Sequence, residues 1–404
     1  MEENNGKSRF GAGFIAGLCI GLTVAVMVGA GLTLRLRSYK DSTGVLDAAT
    51  AQKVSLISGL IDKHFYNYNE EEVTLEDKRV GLYQGLMDSL DDRYADYYTA
   101  EELQEQMTEN EGVYYGIGAY ISVDLDLNYP YLTGIMEDTP AEKAGLRSGD
   151  VIVEIDGASA YGMDSSEAAE LVRGEEGTSV HLTIFREGED DYMGFDVVRG
   201  KVESRTVVSE MKEDDIGYIG IVEFDLTTVD QFTKAYREIR NSGAKGLVLD
   251  LRGNPGGLVY SVEQIARQIL PEGLIYYTED SSGNREEYAC DGANEIDIPL
   301  VVLINGRSAS ASEILSGAIR DHGIGTLIGT KTYGKGIIQQ TIRMSDGSAV
   351  KMTTGAYFSP NGINIQGTGI EPDVEVEFDA DAYYDDGVDN QLNAAIAEIK
   401  KKMT

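Results

Sequence analysis

The chain has 404 residues, more than one hydrophobic core can organise, so about two or three domains are expected. Apolar residues make up 42% and charged residues 25%, as in globular proteins that bury large cores. Acidic residues outnumber basic ones 69 to 34, and the net charge of −35 repels phosphate backbones, which argues against a nucleic-acid partner.

Gly11 to Leu34 carries no charge and is rich in Ile, Leu, Val, Ala and Gly. At a helical rise of about 1.5 Å per residue it spans roughly 36 Å, enough to cross a hydrocarbon core of about 30 Å. It is longer than the core of a cleaved signal peptide, so a retained transmembrane anchor over 11–34 is expected. Lys7 and Arg9 precede the run and Arg35, Arg37 and Lys40 follow it, a near balance that does not orient the chain. Cys19 lies inside the run and is a poor disulfide partner for Cys290. One remaining cysteine and three histidines are too few for a Cys/His zinc site, and no metal is expected.

Residues 42–108 read as a helical region. Apolar residues recur at three- and four-residue spacing over Ala51 to Lys63 and Asp77 to Leu90, with a turn-like Tyr66-Asn67-Tyr68-Asn69 between them. An acidic and aromatic segment, Asp91 to Tyr98, leads to Thr99, which is placed to cap a helix containing Glu101 and Glu102. Residues 109–200 change to short β runs, among them Gly116 to Ile121, Tyr131 to Ile135 and Val180 to Arg186, with a helix over Ser165 to Val172.

Over 201–380 strands alternate with helices. Strands are expected at Ile216 to Phe224, Gly246 to Leu251 and Leu300 to Ile304, and an amphipathic helix at Thr228 to Arg240, the pattern of an α/β core with mostly parallel neighbours. Asp379 to Asp389 reads as a solvated linker, followed by a C-terminal helical segment within 381–404.

Two junctions of this block carry chemistry. Asn254-Pro255-Gly256-Gly257 leaves backbone N–H groups uncovered by Cβ atoms, so a ligand oxygen can approach them. Ser308-Ala309-Ser310-Ala311-Ser312-Glu313 stands between a buried strand and the helical pattern Ile314 to Arg320, where orphan N–H groups stabilise negative charge. A serine there with Glu nearby is also an ordinary helix cap. Gly329-Thr330-Lys331-Thr332-Tyr333-Gly334-Lys335-Gly336 nearly spells a phosphate-binding loop, but Gly336 replaces the required Ser or Thr and a strand pattern follows instead of a helix. Lys335 is better read as a held amine whose burial disfavours its charge, a base for a serine. His322 is the rival base, with Asp250 or Asp321. It lies near the far end of the helix that Ser310 opens, about 18 Å away at helical rise and far beyond a hydrogen-bond reach of about 3 Å, so it is not expected to be the base. His64 and His181 read as structural.

Together Asp250 to Gly257, Ser308 to Glu313, Thr332 to Gln339 and Gly369 to Val374 resemble, in order and spacing, the carboxy-terminal processing peptidases (tail-specific proteases) over nearly the whole chain. The resemblance implies an α/β Ser-Lys protease core with a mixed sheet, an inserted PDZ-like β-rich domain, an N-terminal helical region and one N-terminal transmembrane helix. It implies Ser310 as nucleophile, Lys335 as general base, Gln339 as the residue that orients the lysine, and an oxyanion hole from Ala311 and either Gly256 or Gly257. Tyr115-Gly116-Ile117-Gly118 falls where the PDZ domain grips a terminal carboxylate. Arg173 falls at a position that links a loaded PDZ domain to the active site. The family further implies no cofactor, protein substrates recognised by their C-terminal tails, dimerisation through the N-terminal helices and Asn390 to Lys401, and a single-pass membrane protein with an extracytoplasmic catalytic part. Two other readings are a membrane scaffold that captures C-termini without cutting, and acyl transfer on a small molecule. The intact Ser310, Lys335 and Gln339 set argues against the first, the PDZ-like block against the second.

Overall fold

The computed structural model describes residues 45, 47–66, 73–124 and 126–403. The expected anchor at 11–34 and Asn67 to Asn69 of the expected turn lie outside them. Among the described residues no helix is long and apolar enough to cross a membrane.

Two compact units divide the chain, up to Gly81 and from Leu82 onward. In the first, Asp47 caps the helix Ala48–His64 by accepting from Thr50 N at 2.7 Å. Leu56, Ile57 and Leu60 on that helix are exposed.

The second unit is built on a sheet whose strands run Val207–Lys212, Ile216–Ile221, Gly246–Asp250, Leu300–Ile304, Gly325–Gly329, Val374–Glu375. The first pair is antiparallel and the rest are parallel. Gly246–Asp250 and Leu300–Ile304 are buried at every position. Alternate residues explain why: Leu247, Leu249 and Val302 pack with Phe232, Leu315 and Ile319 on one face, while Val248, Val301 and Leu303 pack with Ala395 and Ile399 on the other. Burial on both faces gives unbroken apolar runs in place of alternation. The carboxyl ends of Gly246–Asp250, Leu300–Ile304 and Gly325–Gly329 lead into the loops 251–257, 305–310 and 330–336, the edge where open α/β sheets place their ligands.

A second, antiparallel sheet joins Ala349–Phe358, Glu272–Asp280, Arg285–Asp291 and Ile337–Arg343. Its edge holds a departure from the expected helical region: Asp96–Tyr98 is a strand paired with Ala349 to Lys351. Three residues are too short for a period to show in sequence. Thr99 caps the following helix Ala100–Asn110 with a full capping box. The acidic stretch expected as a linker instead contains the helix Ala380–Asp386, because Asp379 caps its first turn and Gly387 closes it in the left-handed conformation.

Between Val113–Gly116 and Gly200–Glu203, which pair with each other, lies a module with its own core of Leu132, Ile152, Leu182 and Ile184. Its sheet begins with Ala119–Asp124, an edge strand, and the helix Ser165–Val172 has the bounds read from sequence.

Candidate active site

The three serines after Leu300–Ile304 have different fates. Ser308 Oγ donates to Leu251 O at 2.8 Å, and Ser312 Oγ donates to Asn254 O at 3.0 Å. Both are fully buried and stitch the turn 251–254 to the head of the helix Ala311–Asp321. Ser310 between them is half-buried and holds φ 56° and ψ −113°, a region that side-chain-bearing residues rarely adopt. Such a conformation costs of order 1–3 kcal/mol and persists only where the surroundings impose it.

The opposing glycines approach closely. A Cβ on Gly256 would stand 2.8 Å from Ala309 O and from Ser310 Cβ, and 3.0 Å from Ala311 N. Gly256 N–H already donates to Asn254 Oδ1 at 2.8 Å, and Asn254 Nδ2 is anchored on Ile221 O. Gly257 is exposed and its N–H, like that of Ala311, meets no protein acceptor among the described residues. Of the two glycines the sequence left open, Gly257 therefore retains a free donor.

Lys335 is joined to Ser310 through Glu313, whose carboxylate is buried. Oε2 accepts from Ser310 N and Lys335 N, each at 2.9 Å, and Oε1 accepts from Thr332 Oγ1 at 2.5 Å and Gly334 N at 2.7 Å. The Lys335 amine lies 4.3 Å from the centre of the Tyr94 ring. Burial pushes its pKa down, Lys351 and Arg93 push it further, and Asp92 opposes them. Gln339 Nε2 donates to Thr353 Oγ1 at 3.0 Å on the neighbouring strand.

The histidines lie in structural settings. His322 ends the helix Ala311–Asp321 with Nε2 2.7 Å from Leu274 O, and His181 pairs with Asp196 in the inserted module. Asp250 is bound to Arg252 and Tyr218, and Asp321 to Ser359 and Arg320.

In the inserted module a cleft of about 320 Å³ is lined by the edge strand Ala119–Asp124, the helix Ser165–Val172, and Ile117 and Gly118. Gly118 has φ +79°, and a Cβ there would stand 2.4 Å from Thr139 Cβ. Tyr114, not Tyr115, lines the cleft. A Cβ on Gly116 would be 3.4 Å from the Tyr114 ring. Arg173, which ends that helix, also lines the cleft and holds its guanidinium 5.1 Å from the centre of the Tyr114 ring.

Sequence reasoning gave Glu313 no role beyond neighbouring a capping serine and assigned Asp92, Arg93 and Tyr94 nothing. The first carried a signal, a carboxylate three residues after a serine at a helix start. The others reach the lysine from more than two hundred residues away in the chain and carry none.

The model of peptidase family S41 matches residues 215–376, and that of a PDZ domain matches 131–186. The carboxy-terminal processing protease CtpA of Bacillus subtilis (strain 168) is 32% identical over 389 residues, which cover 93% of this chain and 82% of that protein. The carboxy-terminal-processing protease of Bartonella bacilliformis is 37% identical over 299 residues, covering 72% of this chain and 68% of its own. The solved photosystem II D1 C-terminal processing protease aligns at 30% identity with a TM-score of 0.48, covering 80% of this chain and 86% of that one. Relatives of this identity over most of both lengths show that the chain belongs to the carboxy-terminal processing proteases, serine peptidases of family S41 that carry a PDZ domain.

Proposed function

We propose that the chain is a membrane-anchored endopeptidase, its catalytic part outside the cytoplasm, that cuts proteins near their C-termini with a Ser310–Lys335 dyad. The observation that carries this reading is the shared carboxylate of Glu313, which ties the backbone of a strained serine to that of a lysine whose charge is disfavoured. The neutral Lys335 amine takes the proton from Ser310 Oγ, and Oγ attacks the scissile carbonyl. The oxyanion accepts from the N–H groups of Ala311 and Gly257, at the positive end of the helix Ala311–Asp321. Collapse breaks the C–N bond, the Lys335 ammonium returns its proton to the leaving amine, and an acyl ester remains on Ser310. Water, deprotonated by Lys335, then attacks the ester carbonyl, the C–Oγ bond breaks with Lys335 returning the proton to Ser310 Oγ, and the acid is released. Gln339 orients the lysine in this reading.

The substrate tail adds as a strand beside Ala119–Asp124, with its carboxylate at Ile117 and Gly118. The edge strand and the cleft that those two residues help to line support this. Arg173 communicates occupancy of the cleft to the protease core. The exposed apolar face of Ala48–His64 supports its use in a homodimer, together with Asn390 to Lys401, and the apolar run 11–34 supports the anchor.

The test compares full-length protein with Ser310→Ala and Lys335→Ala on an unfolded protein substrate, following fragments by mass spectrometry. Both variants are expected to fold and to lose cleavage. Undiminished cleavage by Lys335→Ala rules out the dyad, and absence of cleavage by the unaltered chain favours a scaffold that only binds C-termini.

A further inference from the structure

The turn before the strand Asp96–Tyr98 comes from outside the protease core, yet it reaches the lysine. Asp92 Oδ2 accepts from Thr353 N at 2.9 Å, and Asp92 Oδ1 accepts from Tyr94 N at 3.0 Å. Pairing of Asp96–Tyr98 with Ala349 to Lys351 fixes the turn on the edge of the sheet. Arg93 Nη2 donates to Tyr94 Oη at 2.6 Å and also to Tyr333 Oη, on the loop that carries Lys335. The Tyr94 ring faces the Lys335 amine at 4.3 Å.

We propose that Asp92, Arg93 and Tyr94 form a clasp that positions the Lys335 amine, with the Tyr94 ring as its seat and Asp92 and Arg93 holding and polarising that seat. The inference rests on Lys335 being the general base. A ring face attracts an ammonium and not a neutral amine, so the seat stabilises the ammonium that forms as Lys335 takes the proton from Ser310 Oγ. The charges facing the amine are Asp92 and Arg93 on the turn and Lys351 on the strand Ala349–Phe358. Tyr94 and Tyr333 bring phenols, and Glu313 is bound to the lysine's backbone. Asp92 favours the ammonium; Arg93 and Lys351 oppose it. Tyr94 is thus a positioning residue that acts through Lys335.

The test uses the full chain and two readouts. One is the pH dependence of trace acetylation of Lys335 by acetic anhydride, read by peptide mass mapping. The other is the acid limb of kcat/KM. Asp92→Asn keeps the shape and removes the negative charge, so the Lys335 midpoint moves down by about half a pH unit or more, and Arg93→Gln moves it up by a similar amount. Tyr94→Phe keeps the ring and loses only the Arg93 contact, so it falls between the unaltered protein and Tyr94→Leu, which lowers kcat by about tenfold with KM little changed. Shifts of the acetylation midpoint in the same direction for both charge variants, or in neither, overturn the clasp, as does an unaltered kcat in Tyr94→Leu. Opposite acetylation shifts with a stationary rate limb support the clasp and reject Lys335 as the base.

Discussion

Ser310 and Lys335 place their backbone N–H groups on one atom, Oε2 of Glu313, at 2.9 Å each. The helix head and the lysine loop therefore move as one piece, and a carboxylate that accepts four donors has no room for a donor of its own. Glu313→Gln turns an NH2 group towards N–H groups. The expected cost is about 2–3 kcal/mol of stability in denaturant titration, and a fall in kcat of about a hundredfold because Ser310 and Lys335 lose their common reference.

Gly256 tests how tightly the loop 251–257 is pressed on Ser310. A methyl group there would stand 2.8 Å from Ala309 O at a φ of +107°. Gly256→Ala is expected to lower kcat by about a hundredfold with a smaller change in KM. Gly253 also has positive φ, +75°, but open space around its Cβ position. Gly253→Ala should cost about 1 kcal/mol of stability and leave kcat near its original value. Steady-state kinetics of the pair separate crowding from backbone strain.

The rate should rise with pH on a limb set by Lys335, because only the neutral amine accepts the serine proton. Burial, Lys351 and Arg93 hold that amine below the ordinary lysine value of 10.5, so the midpoint of log kcat/KM should fall below that value. Lys351→Met removes one like charge, raises the Lys335 pKa and moves the limb to higher pH. A limb that moves the other way contradicts the assignment.

The PDZ cleft makes a separate prediction. At Gly118 a methyl group would stand 2.4 Å from Thr139 Cβ, so Gly118→Ala distorts the turn that lines the cleft. Binding of a peptide with a free C-terminus, followed by fluorescence anisotropy, should weaken by about tenfold or more. Binding of the same peptide with an amidated end should change little.

Much of the local structure of the described residues was legible in the sequence. The strand Leu300–Ile304 and the helix Ser165–Val172 keep the bounds expected from two-sided burial and helical periodicity, and Thr99 caps as its neighbours predict. Periodicity and capping act over a few residues, so a sequence displays them directly. The serine tract and the glycine loop stand out for the same reason, as short runs of distinctive residues at strand ends. Long-range register lay beyond that reach. Whether Gly256 or Gly257 keeps a free N–H depends on the Asn254 side chain, and the seat of Lys335 on Tyr94 depends on the strand Asp96–Tyr98 lying against Ala349 to Lys351. Residues as distant as Arg93 and Tyr333 meet only after the sheets have closed, and that meeting leaves no period in the chain. Residue types and local patterns set the chemistry available to this protein; packing decided which groups would face one another.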